Sequence, residues 1–448
     1  MHSNLGAALQ DLEFLDEALV SYRQALAIKP GYTNAHSNLI FCMNYDDHIA
    51  QHDIFAESRR WEAAHAVPRA ARETHSRHDR DPERRLRIGY VSPDFRSHSV
   101  SHFLDPLLAG HDRRQFEIFG YAQVAHPDIE TRRLRGLADA WRSTVGMTTQ
   151  AVAARIRDDK IDILVDLAGH TANSRLLVFG ERPAPVQAAW LGYPNTTGSA
   201  AMDYRLTDDI ADPQGPGDAL HSEELTRLPN GFLCFAPAAE APAVADPPLL
   251  ANGQVTFGSF NNLSKVGAAT VAAWARILAR VPGSRLLLKG RALANEQARL
   301  RLESLFAASN IDAARLEFHA WIDSRSGHLG AYDRIDIGLD PFPYNGTTTT
   351  CEALWMGVPV IALCGDRHAG QVGASILARV GLAALSADTV DDYVAAAVSL
   401  AGDAARLVEL RRDLRATMAA SPLCGAASFT RDIEAAYRQM WRHWCQSA

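Results

Sequence analysis

Residues 341–358 read PFPYNGTTTTCEALWMGV. The first half holds turn-forming residues, and the second half, from Cys351 to Met356, has the pattern of a helix. The apolar run IDIGLD (335–340) before it predicts a buried strand. The four threonines predict the helix start, because their hydroxyls can cap free backbone N–H groups. A strand, a glycine-containing loop and a helix N-terminus together favour phosphate binding. The alternative is an ordinary capped helix without a ligand.

Strands and helices alternate in both directions from this stretch. Between segments with a helical pattern, strands are predicted at 86–92, 116–122, 161–169, 185–194, 204–213, 255–261, 284–290, 316–321, 335–340 and 358–364. Such alternation predicts parallel sheets covered by helices on both faces. The Ala- and Pro-rich stretch 236–248 predicts a loop or linker between two series. Two consecutive doubly wound units suggest the GT-B architecture, an α/β fold whose ligands bind at the carboxyl ends of the strands, in a cleft between the domains.

The N-terminal stretch contains an internal repeat. The tetrapeptide His-Ser-Asn-Leu at residues 2–5 recurs at 36–39, and Pro30-Gly31 separates two helical patterns. The offset of 34 residues resembles the period of a tetratricopeptide repeat. One and a half repeats cannot bury their own faces. We therefore expect these helices either to pack on the following domain or to belong to a longer array.

Composition limits the class of protein. The 448 residues are 47% hydrophobic and 22% charged, with a formal net charge of −7. We expect two or three domains in a chain of this length, and neither nucleic acid nor a membrane as partner. The six cysteines are scattered, without metal-ligand spacing. They indicate reduced thiols in a cytoplasmic protein, without a disulfide framework or a zinc site.

Two loops after predicted strands carry candidate catalytic residues. SPDFRSHSVSH (92–102) contains His98, which could accept a proton or hydrogen-bond a sugar or phosphate. His98 and His102 could alternatively bind a metal, although no carboxylate completes that set. SFNNLSK (259–265) places Lys265 where it could neutralise a diphosphate leaving group, with Asn261 and Asn262 as paired donors and acceptors. For isolated residues of these types, simple solvation is the alternative.

Two further groups are open to functional or structural interpretation. Asp158, Asp159 and Asp162 precede the strand at 161–169, and carboxylates serve as general bases. Gly169-His170-Thr171 follows that strand and is expected to face the cleft. The stretch WLGYPNTTG (190–198) is suited either to contacting an extended peptide or sugar or to forming a packed structural loop.

These motifs together resemble one family. RIGYVSPDFRSHSVSHF, DILVDLAGHT, RPAPVQAAWLGYPNTTG, SFNNLSK, FPYNGTTTTCEALWMGVPV and GDRHAGQVGASIL, in this order, are similar to the catalytic region of the O-linked N-acetylglucosamine transferases. That family includes the Spindly-type protein O-fucosyltransferases, and several motifs are at least as close to that branch. The resemblance covers about residues 86–443. It implies inverting transfer of a sugar from a nucleotide diphosphate to Ser or Thr hydroxyls of proteins, without a metal or other cofactor.

The resemblance also implies roles for particular residues. His98 matches the active-site histidine near the acceptor, Lys265 the lysine that stabilises the diphosphate, and Asp159 or Asp162 the region of a proposed catalytic carboxylate. The matches to nucleotide-sugar-binding positions are Asn262, Arg325, His328, Gly346, Thr347, Thr348, Thr349 and Glu352. Asn262 stands where the N-acetylglucosamine branch has Gln, and Thr347 where its animal members have His. Glu352 replaces a ribose-contacting Asp, and Arg325 replaces a base-contacting Lys.

The sequence thus predicts five segments. These are a repeat segment (1–45), a helical connector (46–85), an acceptor-side lobe (86–235), a nucleotide-sugar lobe (250–425) and a C-terminal helix (426–448). The predicted reaction is transfer of N-acetylglucosamine from UDP-GlcNAc to protein or peptide acceptors, and fucose transfer from GDP-fucose is the alternative. A non-catalytic repeat scaffold and a transferase acting on glycans are further alternatives. The motifs leave a homo-oligomer open.

Overall fold

The computed structural model describes residues 1–12, 14–65, 75 and 78–447. Residues 66–74, 76 and 77, within the predicted connector, lie outside the described part. The elements, in chain order, are α1 (His2–Asp11), α2 (Leu15–Ile28), α3 (Thr33–Met43), α4 (Gln51–His65), β1 (Leu86–Ser92), α5 (Ser101–Gly110), β2 (Phe116–Ala122), α6 (Ile129–Gly136), β3 (Ala140–Ser143), α7 (Thr149–Asp158), β4 (Ile163–Asp166), α8 (Leu176–Gly180), β5 (Val186–Ala189), β6 (Tyr204–Thr207), β7 (Glu224–Arg227), α9 (Leu249–Asn252), β8 (Thr256–Ser259), α10 (Ala268–Arg280), β9 (Arg285–Lys289), α11 (Glu296–Ala307), β10 (Leu316–His319), α12 (Arg325–Gly330), β11 (Ile337–Leu339), α13 (Thr348–Trp355), β12 (Val360–Leu363), α14 (His368–Arg379), β13 (Ser386–Ala387), α15 (Val390–Ala401), α16 (Ala404–Ala419) and α17 (Ala426–Gln446).

The chain divides into two compact units. One consists of Met1–Ser21, Cys42–Ala50 and Pro237–Cys424, and is called the 237–424 unit. The other consists of Tyr22–Phe41, Gln51–Ala236 and Gly425–Ala448, and is called the 51–236 unit. Residues 231–247, which include the boundary between the two units at Ala236 and Pro237, contain neither helix nor strand, as the Ala- and Pro-rich composition predicts.

The 51–236 unit is built on a parallel sheet in the order β3-β2-β1-β4-β5-β6-β7. Its inner strands are buried, whereas the edge strands β3 and β7 are partly exposed. In β1, for example, Leu86, Ile88 and Tyr90 are not exposed at all. Strand order reverses direction between β1 and β4, so the loops that follow these two strands diverge at the carboxyl edge. A ligand site is expected at such a point in a doubly wound sheet.

The 237–424 unit repeats the arrangement with the order β10-β9-β8-β11-β12-β13. All of its strand pairs are parallel, for example Ile337 with Phe257 and Gly338 with Val360. Here the order reverses between β8 and β11. The loops after those strands carry Lys265 and the threonine run.

One predicted helix is partly wrong. Residues 131–143 have a helical pattern, but α6 ends at Gly136 and Ala140–Ser143 form the edge strand β3. That strand is set by pairing with β2, where Gly120 lies opposite Trp141. A four-residue strand has too little local pattern to outweigh the preceding helical run. The strands β7 and β13 have no counterpart among the predicted elements.

The described part of the chain, which omits residues 13, 66–74, 76–77 and 448, has no helix that combines the length and apolarity needed to span a membrane.

Candidate active site

The turn before α13 in the 237–424 unit leaves a helix N-terminus open. Thr347 is the N-cap residue, and no side chain caps the helix through a hydrogen bond. The prediction that threonine hydroxyls cap this helix is therefore wrong. The hydroxyl of Thr349 instead donates to Asn261 Oδ1 at 2.8 Å. An uncapped helix start presents N–H groups and partial positive charge to an anion.

Gly346 permits the sharp approach to this helix. A Cβ at this position would lie 2.5 Å from Thr349 Oγ1, 2.7 Å from Asp340 Oδ1 and 2.7 Å from Thr350 Oγ1. The first two of those oxygens belong to groups that hydrogen bonds hold in place, so they have little room to move. Any side chain larger than hydrogen would therefore displace the turn.

Lys265 lies beside the same turn. It ends a short 3₁₀ helix after β8, and its Nζ donates to the backbone carbonyl of Asn345 at 2.6 Å. The ammonium also lies 3.8 Å from the centroid of the Tyr344 ring. Burial lowers the pKa of Lys265, and the nearby Asp340 charge opposes that shift. An ammonium group and an uncapped helix start therefore lie within one loop system, which suits a diphosphate.

The buried Asp340 carboxylate holds the turn in place through hydrogen bonds. It follows β11, is 1% exposed, and its Oδ1 accepts from the backbone N–H of Gly346 at 2.8 Å and from Asn261 Nδ2 at 3.3 Å. Burial raises the pKa of Asp340, while the Gly346 N–H and the Lys265 charge lower it. Asp340 thus ties the loop after β8 to the loop after β11.

A second group of side chains lies at the same edge of this sheet. His328 Nε2 is 3.0 Å from Glu352 Oε2, and its Nδ1 is in hydrogen-bond contact with Lys289 Nζ. The indole ring of Trp321 is 5.5 Å from the His328 ring, measured between centroids. Burial lowers the pKa of Lys289 to about 8, and the Glu352 charge opposes the shift. The structure therefore brings His328 and Glu352 together, as two residues of one hydrogen-bonded chain.

Arg325 and Asn262 have different surroundings. Arg325 begins α12, three residues before His328, and is exposed. Asn262 is also exposed, and its side chain accepts from the backbone N–H of Ser264 at 3.2 Å, which caps the 3₁₀ helix containing Lys265. A ligand-contacting role for these two residues stays a prediction.

In the 51–236 unit, His98 lies in the loop after β1, at the point where strand order reverses. Its side chain is 36% exposed, and Nδ1 accepts from the backbone N–H of Val100 at 3.3 Å. Asp94 Oδ1 is 3.6 Å from Nε2. Burial lowers the pKa of His98, and the Asp94 charge opposes that shift. These contacts favour a neutral ring at pH 7 with its proton on Nε2.

The sequence profile of the family described as glycosyl transferase family 41 matches residues 60–237 and 248–433. The chain belongs to glycosyltransferase family 41. Both sheets, the His98 loop, the Lys265 loop and the threonine turn lie within the matched residues.

Two plant relatives differ in similarity to this family 41 chain. A probable UDP-N-acetylglucosamine–peptide N-acetylglucosaminyltransferase, SPINDLY of Petunia hybrida, is 44% identical over 425 residues, covering 94% of this chain and 45% of the relative. The protein called SEC of Arabidopsis thaliana, with the same description, is 32% identical over 372 residues, covering 81% of this chain and 38% of the relative. The chain thus spans about half the length of the curated relatives it matches.

A solved bacterial structure matches the whole chain. The O-GlcNAc transferase of Thermobaculum terrenum, solved as a lysine-to-methionine mutant, has a TM-score of 0.94 and 37% identity, covering 100% of this chain and 84% of that one. The two parallel Rossmann-like sheets of this family 41 chain are those of the GT-B architecture, which confirms the predicted fold.

Asp159 and Asp162 have structural partners in this family 41 chain. Asp159 accepts from the Tyr121 hydroxyl at 2.9 Å and from Arg142 Nη2 at 2.8 Å. Asp162, 1% exposed, accepts from Arg84 and from the backbone N–H of Arg87 at 2.8 Å. Asp162 also precedes β4, whereas His98 follows β1. In a parallel sheet Asp162 therefore lies at the amino ends of the strands and His98 at the carboxyl ends. A catalytic role for Asp159 stays a prediction.

His170 does not face open space within its unit, contrary to expectation. It is completely buried, with Nδ1 3.1 Å from Ser37 Oγ on α3 and Nε2 2.9 Å from the Thr197 carbonyl. Burial lowers its pKa to about 4. A histidine held neutral between a hydroxyl and a carbonyl anchors α3 to the sheet. Local sequence cannot reveal this role, because Ser37 lies more than 130 positions away in the chain.

The stretch 190–198 is a packed structural loop, the second of its two interpretations. Asn195 and Gln51 exchange two hydrogen bonds of 2.8 and 2.9 Å, which hold α4 against the loop. Thr196 and Thr197 are buried and both bond to Glu223. Gly198 has a φ of +70°, and a Cβ there would lie 2.5 Å from Ser58 Cβ on α4.

Sequence reasoning missed Asp340 and Lys289. The available signal was position, since Asp340 follows a buried strand and Lys289 ends one. Among the residues the structure describes, no three His, Cys, Asp or Glu side chains are grouped so as to hold a metal ion. The alternative that His98 and His102 bind a metal therefore has no third ligand there.

Proposed function

We propose that this chain transfers N-acetylglucosamine from UDP-GlcNAc to Ser or Thr hydroxyls of proteins, with inversion at the anomeric carbon. The observation that carries the proposal is the pairing of the Lys265 ammonium with the uncapped start of α13 across the Gly346 turn. Membership of family 41 and the similarity to the O-GlcNAc transferase of Thermobaculum terrenum support the same reaction.

In this reaction the acceptor hydroxyl attacks the anomeric carbon from the face opposite the nucleotide. A new carbon–oxygen bond forms as the bond to the β-phosphate breaks, and the nucleoside diphosphate leaves with the electron pair. Lys265 and the N–H groups at Thr347–Thr349 stabilise the negative charge that develops on that phosphate. We expect this stabilisation to be the largest catalytic contribution, because the charge is greatest in the transition state.

His98 is proposed to position the acceptor hydroxyl, and the hydroxyl proton leaves as the new bond forms. With Val100 N–H bonded to Nδ1, the free proton of the neutral ring is on Nε2. Nε2–H would donate to the acceptor or sugar, which favours positioning over proton abstraction. The identity of the base is therefore a separate question, for which Asp159 is the candidate predicted from sequence.

The helices α1–α3 are proposed to present protein substrates, in line with the repeat pattern. No metal is proposed for the donor site, because Lys265 and the helix start supply the positive charge that a metal would otherwise provide.

Fucose transfer from GDP-fucose is the second candidate function. The observation favouring it is the higher identity to SPINDLY sequences, 44% against 32% for SEC, because the Spindly-type branch is the one that the sequence resemblance links to fucosylation. The two candidates share the transfer mechanism and differ in the nucleobase of the donor and in the sugar that is transferred.

The proposal is tested by offering UDP-GlcNAc and GDP-fucose in competition to a peptide library and measuring the mass added to each peptide. N-acetylhexosamine on Ser or Thr supports the first candidate, and deoxyhexose supports the second. If neither mass appears and neither UDP nor GDP raises the melting temperature, both candidates are wrong.

A further inference from the structure

Three ionisable side chains meet at the carboxyl edge of the sheet in the 237–424 unit. Lys289 ends β9, His328 lies on α12 and Glu352 lies on α13. Lys289 Nζ contacts His328 Nδ1, and His328 Nε2 is 3.0 Å from Glu352 Oε2. Lys289 is 2% exposed, and the side chains of His328 and Glu352 are 12% and 10% exposed. The three groups thus form one buried hydrogen-bonded chain.

The chemistry of the end groups places the protons in this chain. A lysine ammonium can only donate hydrogen bonds, so Nδ1 of His328 must accept. A neutral ring then carries its proton on Nε2, from which it donates to the Glu352 carboxylate. Both ring nitrogens of His328 are occupied by these contacts. His328 is therefore poorly placed to hydrogen-bond a nucleobase with either nitrogen.

Of the three hydrogen-bonded side chains, Glu352 is the one that can reach a ligand. It lies one helical turn after Thr348, which is about 6 Å along the helix axis. A nucleotide whose diphosphate sits at the helix start would bring its ribose to about this height. Within the described residues only Oε2 of Glu352 has a hydrogen-bond partner, so Oε1 remains to accept from a ribose hydroxyl.

We propose that Lys289 is a positioning residue which, through His328, orients Glu352 to accept a hydrogen bond from the ribose of the nucleotide. This inference rests on the proposed function, since it takes a nucleoside diphosphate as the ligand. The alternative that the test must exclude is a purely structural role, in which the three hydrogen-bonded side chains only hold α12 against α13.

The test combines a substitution with a change in the ligand. Binding of UDP and GDP, and of their 2′-deoxy and 3′-deoxy forms, is measured by calorimetry for the wild type, for Lys289→Met and for Lys160→Met. Lys160 is an exposed lysine of the other unit and serves as the matched control. We expect Lys289→Met and loss of the contacted hydroxyl each to weaken binding roughly tenfold or more, since the hydrogen bond is to a charged group.

The two changes together should weaken binding no further than either alone, because both remove the same hydrogen bond. Multiplicative effects would mean that Lys289 acts elsewhere, and the inference would be wrong. If the wild type binds UDP or GDP but tolerates both deoxy forms, the inference is wrong while the proposed function stands. If the wild type binds neither nucleotide, both are wrong.

A second pair of variants guards against misfolding of Lys289→Met. The Gln side chain of His328→Gln can still accept from Lys289 and donate to Glu352, whereas that of His328→Leu can do neither. We expect the Gln variant to keep nucleotide binding within about threefold of wild type and the Leu variant to lose about tenfold. Equal losses of nucleotide affinity in the two variants would show that His328 does not transmit the effect of Lys289 to Glu352, and the inference would be wrong. Nitrogen-15 spectra of the His328 ring must also show the Nε2–H tautomer.

Discussion

Burial gives two lysines of the 237–424 unit different properties from surface lysines. Lys265 and Lys289 each face an aromatic ring, at 3.8 Å from Tyr344 and 4.6 Å from Phe260. Removal from water lowers the pKa of both. The Lys265 ammonium lies beside the start of α13, whereas the Lys289 ammonium is buried against His328. Residue type alone therefore does not separate Lys265, which is proposed to be catalytic, from Lys289, which is proposed to position Glu352.

Replacing Lys265 by Met should lower kcat much more than it changes the donor KM. The ammonium is proposed to act on charge that appears in the transition state, and loss of one such group costs roughly 10²–10³-fold in kcat. Steady-state kinetics with whichever donor is turned over provides the measurement, and Lys160→Met is the control. A Lys265→Met variant with wild-type kcat would contradict the mechanism.

The activity should also fall on the alkaline side earlier than an ordinary lysine would allow. Only the charged form of Lys265 stabilises the leaving group, and burial lowers its pKa. The active fraction is thus complete at low pH and is lost as pH rises through that lowered value, below the ordinary lysine pKa of about 10.4. The measurement is kcat/KM for the donor, because its pH dependence reports the free enzyme, in which burial lowers the pKa of Lys265. A flat profile to pH 10 would be inconsistent with this role.

At the scale of elements, the turn into α13 depends on the absence of a side chain at Gly346. Gly346→Ala would place a methyl group within 2.7 Å of three oxygens. We expect at least a tenfold loss in nucleotide affinity, and a cost in stability of about 1–3 kcal/mol from overpacking. Calorimetric titration with UDP and GDP and urea unfolding measure the two effects. Gly136→Ala, where a Cβ meets nothing within 4 Å, should be close to neutral in both.

The anchoring of α3 in the 51–236 unit predicts sensitivity to acid. Burial lowers the pKa of His170 from about 6.5 to about 4. Between these two pH values the unfolded state therefore binds the proton more readily than the folded state does. The contribution of His170 to stability is present above about pH 6.5 and is lost as pH falls toward 4, by on the order of 3 kcal/mol in all.

His170→Gln keeps a donor for the Thr197 carbonyl but does not titrate. Its free energy of unfolding should therefore fall less steeply between pH 6.5 and 4 than that of the wild type, as measured by urea unfolding. Ser37→Ala removes one partner and leaves the histidine, so its acid slope should match the wild type. Equal slopes in the wild type and His170→Gln would show that His170 does not carry the effect.

At the scale of the whole molecule, the last helix returns to the unit formed by the earlier sheet. The side chains of Phe429, Ile433 and Tyr437 on α17 are buried in the 51–236 unit. Glu434 accepts from His111 Nδ1 at 3.0 Å and from the backbone N–H of Asp112 at 2.8 Å. The core of the 51–236 unit therefore includes a helix that follows the second sheet in the chain.

Glu434→Ala should lower the free energy of unfolding of this unit by about 1–3 kcal/mol, because it leaves two donors without an acceptor. Arg442→Ala on the same helix breaks an exposed ion pair with Glu83 and should cost less than about 1 kcal/mol. Hydrogen exchange of β1 and β2 amides reports on this unit. Equal protection in the two variants would refute the anchoring role of Glu434.

Local pattern predicts the alternating strands and helices and the loop at 236–248. It also predicts the positions of Lys265, Gly346 and the threonines at the carboxyl ends of strands. Apolar runs and helical periods act over a few residues, so they need no knowledge of the rest of the chain. In parallel sheets the loop after each strand must reach the same edge, which made the Lys265 loop and the threonine turn predictable neighbours.

Only the tertiary structure decided which polar side chains are available to a ligand. Arg142 on the edge strand β3 occupies Asp159, Ser37 on α3 occupies His170, and Asn261 takes the Thr349 hydroxyl that was expected to cap α13. Lys289, His328 and Glu352 come from three elements and meet in space. Such partners lie tens to hundreds of positions apart, and the free energy of burying or pairing a charge depends on them. Local pattern therefore could not assign these roles.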